Sequence, residues 1–337
     1  MTEPVEAKGR SKTAGASTIV GVVLGGAAMF FVVRTLVREW SSASEEIANA
    51  SLPWLAGALL LAAAGMASIG LAWRHVLRTL GVQAPRGRVV AWYFVGEIGK
   101  YLPGGVWPVL GRGELARAGG VPRSRAYASV GMSLAVLYLT ALFVSTAFLP
   151  FALAGKGASP WMLFLLALPV GIVVLHHDVL GWIVDRISKV TKREIDVEIP
   201  HWKDSLSLVA QYVPTWIFIG TATYAVARAL TPDVSFPQLM FATVLSWTAG
   251  FLAVPVPAGA GIREAVLLAS SGLDGSSAVT TALVARIIFI IVDAGGAAIG
   301  APFATRRRGG VAVGPIPDDV FEDGAFAGES AAGEPVE

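Results

Sequence analysis

Residues 96–117 read GEIGKYLPGGVWPVLGRGELAR, and this stretch decides how the chain folds. Its surroundings are apolar enough for a membrane, yet prolines and glycines stand here beside charged residues: Glu97, Lys100, Arg112, Glu114 and Arg117. A regular transmembrane helix carries few charges, and Pro within it removes a backbone hydrogen bond. The stretch therefore predicts a helix that is broken within an apolar segment.

The composition predicts an integral membrane protein. Of the 337 residues, 54% are hydrophobic and 15% are charged, and the mean hydropathy is +0.64. Soluble domains are closer to a quarter charged. The net charge of +2 gives no reason to expect a nucleic-acid partner. The absence of cysteine excludes a thiol nucleophile and a Cys-ligated metal site.

Six segments have the roughly 20 apolar residues that a spanning helix needs. They are residues 17–37, 52–73, 126–150, 160–178, 206–230 and 278–303. Two further apolar segments, 89–120 and 237–272, are interrupted by Pro and Gly. The remaining parts are polar and predict a disordered basic arm, a cytoplasmic surface segment with Trp182 and Trp202, and a disordered acidic tail: 1–16, 182–205 and 304–337.

The distribution of basic residues predicts the topology. If the N-terminus is cytoplasmic and both interrupted segments enter and leave on one side, most Lys and Arg residues of the loops lie inside, as the positive-inside rule requires. If both segments cross the membrane, the basic groups within 112–125 and 186–203 move outside. We therefore predict two re-entrant helix pairs within a transmembrane domain at 17–303, with both termini cytoplasmic.

The two interrupted segments resemble each other. Residues 99–114 (GKYLPGGVWPVLGRGE) and 250–264 (GFLAVPVPAGAGIRE) both pass through Pro and small residues to a turn with Arg and Glu. Each lies between two spans, in repeat A (52–150) and repeat B (206–303), and the two loops enter from opposite sides. Inverted repeats with broken helices are typical of transporters. The alternative is two ordinary helices that are kinked by Pro and Gly.

A helix that starts inside the protein presents free N–H groups and the positive end of its dipole, which favours phosphate or carboxylate. The candidate turn residues are Gly99, Pro103, Gly104, Gly105, Pro257, Gly259 and Gly261. The candidate phosphate-binding side chains are Lys100, Arg112, Arg263 and Arg286, and Arg117 could extend this basic lining. The candidate coupling groups or charge partners are Glu97, Glu114, Glu264 and Asp293.

Several of these residues have a simpler interpretation. Glu97 and Lys100 are three residues apart and could pair on one helix face. The two glutamates of the turns, Glu114 and Glu264, could be local partners or helix caps. Arg117 could be a topology charge. Finally, Arg286 and Asp293 lie seven residues apart within the last span and could form a structural pair.

The sequence shows no nucleophile–base arrangement, phosphate-binding loop or nucleotide fingerprint. The adjacent residues HHD at 176–178 lack the spacing of a metal site. We therefore expect neither an enzyme nor a cofactor, and any uphill transport would depend on an ion gradient.

The motifs GKYLPGG at 99–105 and PVPAGAGIRE at 255–264 resemble the transmembrane domain family of lysylphosphatidylglycerol synthases. The second motif has Ala258 where this family more often has Gly. The resemblance covers most of 17–303 and implies a lipid flippase. The aminoacyl-transferase domain of the synthases has no counterpart among the roughly 30 residues after the last predicted span. Relatives associated with polyprenyl-phosphate sugars widen the substrate range that the resemblance implies.

The sequence thus predicts an all-α polytopic protein of the cell membrane, with about six transmembrane helices and two opposed re-entrant pairs. Its expected function is movement of an anionic phospholipid or polyprenyl-phosphate-linked lipid. A lipid-modifying or glycosyl-transfer enzyme is a candidate partner. Two alternatives are an ion-coupled transporter of a small anionic solute and a scaffold that does not transport.

Overall fold

The computed structural model describes residues 48–102, 105–153, 202–252, 259, 261–305 and 310–314, with isolated positions at 30, 34, 37, 44, 182 and 186. Several sequence predictions lie outside these residues: the arm at 1–16, most of the span at 17–37, the whole span at 160–178 with the residues HHD at 176–178, most of the segments 182–205 and 304–337, and Pro103, Gly104 and Pro257.

The described residues are mainly helical. Their helices are α1 (Leu52–Thr79), α2 (Arg86–Glu97), α3 (Trp107–Ala118), α4 (Arg123–Ala152), α5 (Trp202–Leu230), α6 (Phe236–Leu252), α7 (Ile262–Ser270) and α8 (Gly275–Ala304). A short 3-10 helix, Ile98–Tyr101, continues α2, and two strands of two residues each are β1 (Val82–Gln83) and β2 (Ala312–Val313).

The helix ends follow local sequence signals. Helix α1 has Pro53 in its first turn, where the missing N–H costs no intrahelical bond. It is followed by Gly81, whose φ of 67° is accessible to glycine without a Cβ clash. The carboxylate of Asp274 accepts hydrogen bonds from the backbone N–H groups of Ser276 and Ser277 and so caps α8.

Three of the described helices, α1, α4 and α8, are long and apolar enough to cross a membrane. Helix α5 covers the predicted span at 206–230 and has 29 residues, but it is not among them. Its middle carries Gln211 and Pro214, and its aromatic residues Tyr212 and Trp216 are buried against other helices. The described helices are those of an all-α protein with apolar segments long enough for a membrane, and the total of six spans stays a prediction.

Both segments that the sequence predicts to be broken contain two helices. In the first, α2 and its 3-10 extension are followed after a turn by α3, which packs against α2. In the second, α6 is followed by α7, which packs against α6. Each segment is thus a pair of short helices in contact, and a described glycine, Gly105 or Gly259, lies in the sequence between them.

The two halves of the chain pack in a reciprocal way. Helices α1 and α5, which begin the two halves, are antiparallel: the hydroxyls of Ser68 and Thr215 lie 2.7 Å apart, while Ser51 N donates to Ala229 O at 3.0 Å. Helix α8 of the second half packs on α2 of the first, and α4 of the first packs on α6 of the second. The last helix of each half therefore packs against the broken segment of the other half.

Strand β2 lies in the segment that the sequence predicts to be a disordered tail from residue 304. It pairs antiparallel with β1, with Val82 opposite Val313. Gly314 N donates to Gly81 O at 3.0 Å, and Arg125 Nη1 donates to Gly314 O at 2.8 Å. This part of the segment has regular structure. A two-residue strand without an apolar pattern gives no signal that a sequence reading could use.

Candidate functional site

A close contact between a glycine and an arginine joins the two helices of each broken segment. A Cβ atom added to Gly96 on α2 would lie 2.6 Å from Arg112 Cγ on α3. A Cβ atom added to Gly250 on α6 would likewise lie 2.6 Å from Arg263 Cγ on α7. In both segments the glycine gives the arginine side chain room to cross the first helix.

An aromatic ring accompanies each arginine. The Arg112 guanidinium lies 5.7 Å from the centroid of Tyr93, and the Arg263 guanidinium lies 4.2 Å from the centroid of Trp247. Each ring stands three residues before its glycine, so ring and glycine share one face of the helix. A cation over an aromatic face gains roughly 0.5–2 kcal/mol, depending on how far it is removed from water.

Several of these corresponding residues share one spacing. The ring, the glycine of the contact and a later glycine are 154 positions apart, at 93 and 247, 96 and 250, and 105 and 259, whereas Arg112 and Arg263 are 151 positions apart. Gly105 and Gly259 have φ values of 60° and 67°, which favour glycine over other residues. The sequence comparison aligns Gly99 with Gly250, at the same spacing of 151 positions as the two arginines. The glycine that contacts the arginine in the first segment is Gly96, three residues earlier. Gly99 instead packs against Trp107.

A cavity of about 250 Å³ lies between the two broken segments. Its lining is mainly apolar and includes Tyr138, whose ring stacks on Phe251 with 3.9 Å between the centroids. The charged residues of its lining are Glu97, Lys100, Arg112 and Arg263. Val106 and Phe251 also line it and are 52% and 41% exposed, so apolar side chains border its opening.

A second cavity of about 60 Å³ lies on the other side of Lys100, Trp247 and Arg263, which line both cavities. Its other charged residues are Glu264, Arg286 and Asp293. The structure therefore brings the four candidate phosphate-binding side chains and three of the four candidate acidic partners to two adjoining cavities.

Lys100 and Asp293 form a buried ion pair. Lys100 Nζ lies 2.6 Å from Asp293 Oδ2, and the Asp293 side chain has no exposed surface. Tyr101 Oη donates to the same oxygen at 2.8 Å. The predicted pairing of Lys100 with Glu97 is present but longer, at 3.7 Å. The pair connects the first broken segment to α8 of the other half.

Arg286 is bound to α7 rather than to Asp293. Its Nη1 donates to Glu264 Oε1 at 2.9 Å, and Glu264 Oε2 accepts from Gly261 N at 2.6 Å. Glu264 is thus both a helix cap and a charge partner. The interpretation of Arg286 and Asp293 as a mutual pair is wrong, because each has another partner from a broken segment.

Glu114 lies apart from these groups. It accepts hydrogen bonds from Arg117 Nε and Tyr127 Oη, both at 2.8 Å. Neither Glu114 nor Arg117 lines either cavity, and about half of each side chain is exposed. Arg117 therefore does not extend the basic lining, and Glu114 is the local partner that the simpler interpretation describes.

Arg263 differs from the other three cations. Arg112 Nη2 lies 4.0 Å from Glu97 Oε2, and Lys100 and Arg286 have close carboxylate partners. Within the described part of the chain, Arg263 has no ion pair, and its buried Nε has no hydrogen-bond partner. Its backbone is fixed, because Ser246 Oγ donates to Arg263 O at 2.8 Å. A buried polar group without a hydrogen-bond partner is costly, so an anion bound at this guanidinium would stabilise it.

Sequence reasoning missed the residues that position these cations, namely Tyr93, Gly96, Tyr101, Trp247 and Gly250. A signal was present: YFVG at 93–96 and WTAG at 247–250 place an aromatic residue three positions before a glycine, ahead of each break. Charge within an apolar segment marks candidate residues in a sequence, and these five residues carry no charge.

Together the fold and the site define a helical membrane protein with charged cavities between two broken helical segments. The chain belongs to the family described as the lysylphosphatidylglycerol synthase TM region, whose model matches residues 18–294. A comparison with curated proteins finds no match for this chain.

Proposed function

We propose that this protein is a flippase, which moves an anionic phospholipid or a polyprenyl-phosphate-linked lipid across the cell membrane. The observation that carries the proposal is Arg263, a cation without an ion pair in the described residues that faces both cavities. Its planar guanidinium suits bidentate binding of a phosphate.

The cavities are consistent with a lipid whose headgroup enters the protein while its chains stay outside. The larger cavity is lined by four charged residues and is otherwise mainly apolar. Val106 and Phe251 place exposed apolar surface at its opening. A water-soluble anion would gain nothing from such an opening, whereas lipid chains would cover it.

The proposal includes the inverted arrangement of the two halves. The antiparallel packing of α1 and α5, and the reciprocal packing of α8 on α2 and of α4 on α6, are what an inverted repeat would produce. In the proposal each pair of short helices is re-entrant, and the two turns open toward opposite faces of the membrane with both termini cytoplasmic. Rocking of one half against the other would then expose Arg263 to each leaflet in turn.

The proposal does not include catalysis. No step in it makes or breaks a covalent bond, and the site residues bind and release the headgroup. We propose neither a cofactor nor an energy source for the movement. A lipid-modifying or glycosyl-transfer enzyme as a partner stays a prediction from the family resemblance.

Lipid scrambling in reconstituted vesicles tests the function. The probe is phosphatidylglycerol with a fluorescent acyl chain, and a membrane-impermeant reductant bleaches the label that reaches the outer leaflet. We expect the wild type to expose the inner-leaflet label. Arg263→Gln should slow this roughly tenfold or more, because a hydrogen bond to a charged group contributes about 1.5–3 kcal/mol. The control Arg123→Gln removes an exposed cation outside both cavities.

Absence of scrambling by the folded wild type would overturn the proposal. So would equal rates for Arg263→Gln and the wild type. Transport of a soluble organic phosphate without lipid movement would favour the alternative of an anion transporter, and a protein that moves neither would favour a scaffold.

A further inference from the structure

The charge balance of the two cavities limits which headgroup they can hold. Among the described residues that line them, four are cationic and three are carboxylates: Lys100, Arg112, Arg263 and Arg286 against Glu97, Glu264 and Asp293. These described residues therefore carry one excess positive charge. That excess lies at Arg263, because the other cations each face a carboxylate at 4.0 Å or less.

We propose that the site selects a headgroup with a single negative charge, namely a phosphodiester with an uncharged substituent. This inference rests on the proposed function and names its substrate class. Both a diacyl phosphodiester and a prenyl phosphodiester linked to a sugar carry this chemistry. The proposed selectivity excludes phosphomonoesters and diphosphates, which carry more negative charge, and aminoacylated lipids with a net positive charge.

A second negative charge would need a second cation. Lys100 could supply it only by leaving Asp293, which would then be an unpaired carboxylate in a fully buried position. Removing one partner of a buried ion pair is strongly unfavourable, because the remaining charge has no compensation. Arg112 is the least tightly held alternative, but its guanidinium is 2% exposed and its Nε donates to Pro108 O within its own helix.

A positively charged headgroup meets the opposite obstacle. It would need a carboxylate, and each carboxylate of the two cavities already faces a cation: Glu97 near Arg112, Glu264 with Arg286, and Asp293 with Lys100. One oxygen, Asp293 Oδ1, has no hydrogen-bond partner among the residues that the structure describes. It borders the smaller cavity, where Lys100 Nζ already lies 2.6 Å from the other oxygen of the same carboxylate, so a second cation there would be repelled.

The selectivity differs from what the family description alone suggests, because a lysylated lipid carries a net positive charge. The site of this chain is cationic, so an aminoacylated headgroup would add positive charge to positive charge. Like charges in an apolar surrounding repel more strongly than in water. The charges therefore favour the unmodified phosphodiester.

Scrambling of four labelled lipids with matched fluorescent chains tests the proposal. They are phosphatidylglycerol, phosphatidic acid, lysylphosphatidylglycerol and a prenyl phosphodiester of a hexose. We expect the two phosphodiesters without extra charge to move at least roughly tenfold faster than the other two, which corresponds to a difference of about 1.4 kcal/mol. Faster movement of the diacyl or of the prenyl compound identifies which source the protein uses.

A charge-changing variant tests the reason for the selectivity. Glu264→Gln removes one negative charge from the site, and its amide oxygen can still accept from Gly261 N. We expect this variant to shift the preference toward phosphatidic acid. The matched control Asp274→Asn removes an exposed carboxylate outside both cavities and keeps a side chain that caps helices. It should leave the order of the four lipids unchanged.

The outcomes separate the two proposals. Equal rates for all four lipids, or a preference for the lysylated lipid, would overturn this inference while the flippase function stands. An unchanged preference in Glu264→Gln would also overturn it. If the folded protein moves none of the four lipids, the proposed function fails and this inference fails with it.

Discussion

The ion pair between Lys100 and Asp293 connects the two halves of the molecule, and its removal has a calculable effect. Lys100→Met leaves the Asp293 carboxylate buried with one donor, Tyr101 Oη, in place of two. Breaking a buried pair by removing one partner costs roughly 3–5 kcal/mol. Asp293→Asn leaves the ammonium near Glu97 Oε1, which is 3.7 Å away, and should cost less.

The double variant Lys100→Met/Asp293→Asn removes both charges, so it leaves no unpaired carboxylate. We expect its free energy of unfolding to exceed that of Lys100→Met by about 1–3 kcal/mol, since neutralised buried pairs are often tolerated. The assay is reversible unfolding in detergent micelles by titration with a denaturing detergent. The double-mutant cycle then gives the coupling energy between the two side chains.

A second cycle on Glu114→Gln and Arg117→Met is the control. This pair is equally short, at 2.7 Å, but about half of each side chain is exposed. Exposed pairs contribute about 0–1 kcal/mol, so its coupling should be small. Additive effects of Lys100→Met and Asp293→Asn, with no coupling between them, would refute the reasoning that this pair joins the halves.

Three further predictions concern the site and the residues that pack against it. Gly96→Ala and Gly250→Ala should each destabilise the protein by about 1–3 kcal/mol in the same unfolding assay, because the added Cβ would lie 2.6 Å from an arginine Cγ. The control Gly57→Ala should stabilise the protein slightly, because no atom lies within 4 Å of the added Cβ. Trp247→Ala should slow phosphatidylglycerol scrambling more than Phe236→Ala, since Trp247 supports the Arg263 guanidinium and Phe236 lines neither cavity. Hydrogen bonds from the side chains and backbone of Ser276 and Ser277 hold the pKa of Asp274 below its ordinary value. The stability that this carboxylate contributes is present above its pKa in the unfolded chain and is lost as the pH falls through its lower pKa in the folded protein. Asp274→Asn should therefore weaken the dependence of the melting temperature on acid pH.

The helices and their interruptions could be predicted from the sequence, because both depend on local signals. Long apolar runs predict α1, α4 and α8, and Pro with Gly predicts the breaks in the two interrupted segments. The candidate cations can be predicted for a similar reason. A charged residue within an apolar segment can be recognised from the sequence without the fold, as Arg263 and Arg286 are.

The partners of these charges could not be predicted, because they come from distant parts of the chain. Lys100 pairs with a residue on α8, and the choice of Asp293 over Glu97 depends on how α8 packs against α2. The glycine of the contact in the first segment is not the one that the motif with Pro indicates, since Gly96 and not Gly99 packs against Arg112. Only the contact with arginine shows that Gly96 corresponds to Gly250.

The most direct test of the account is the side from which each turn is accessible. The chain has no cysteine, so Val106→Cys and Ala260→Cys each provide a single reactive thiol near one of the two turns. A membrane-impermeant maleimide is applied to sealed vesicles of known orientation from either side. The account predicts that position 106 reacts from the cytoplasmic side and position 260 from the opposite side. Reaction of both positions from the same side would contradict the inverted arrangement on which the proposed movement depends.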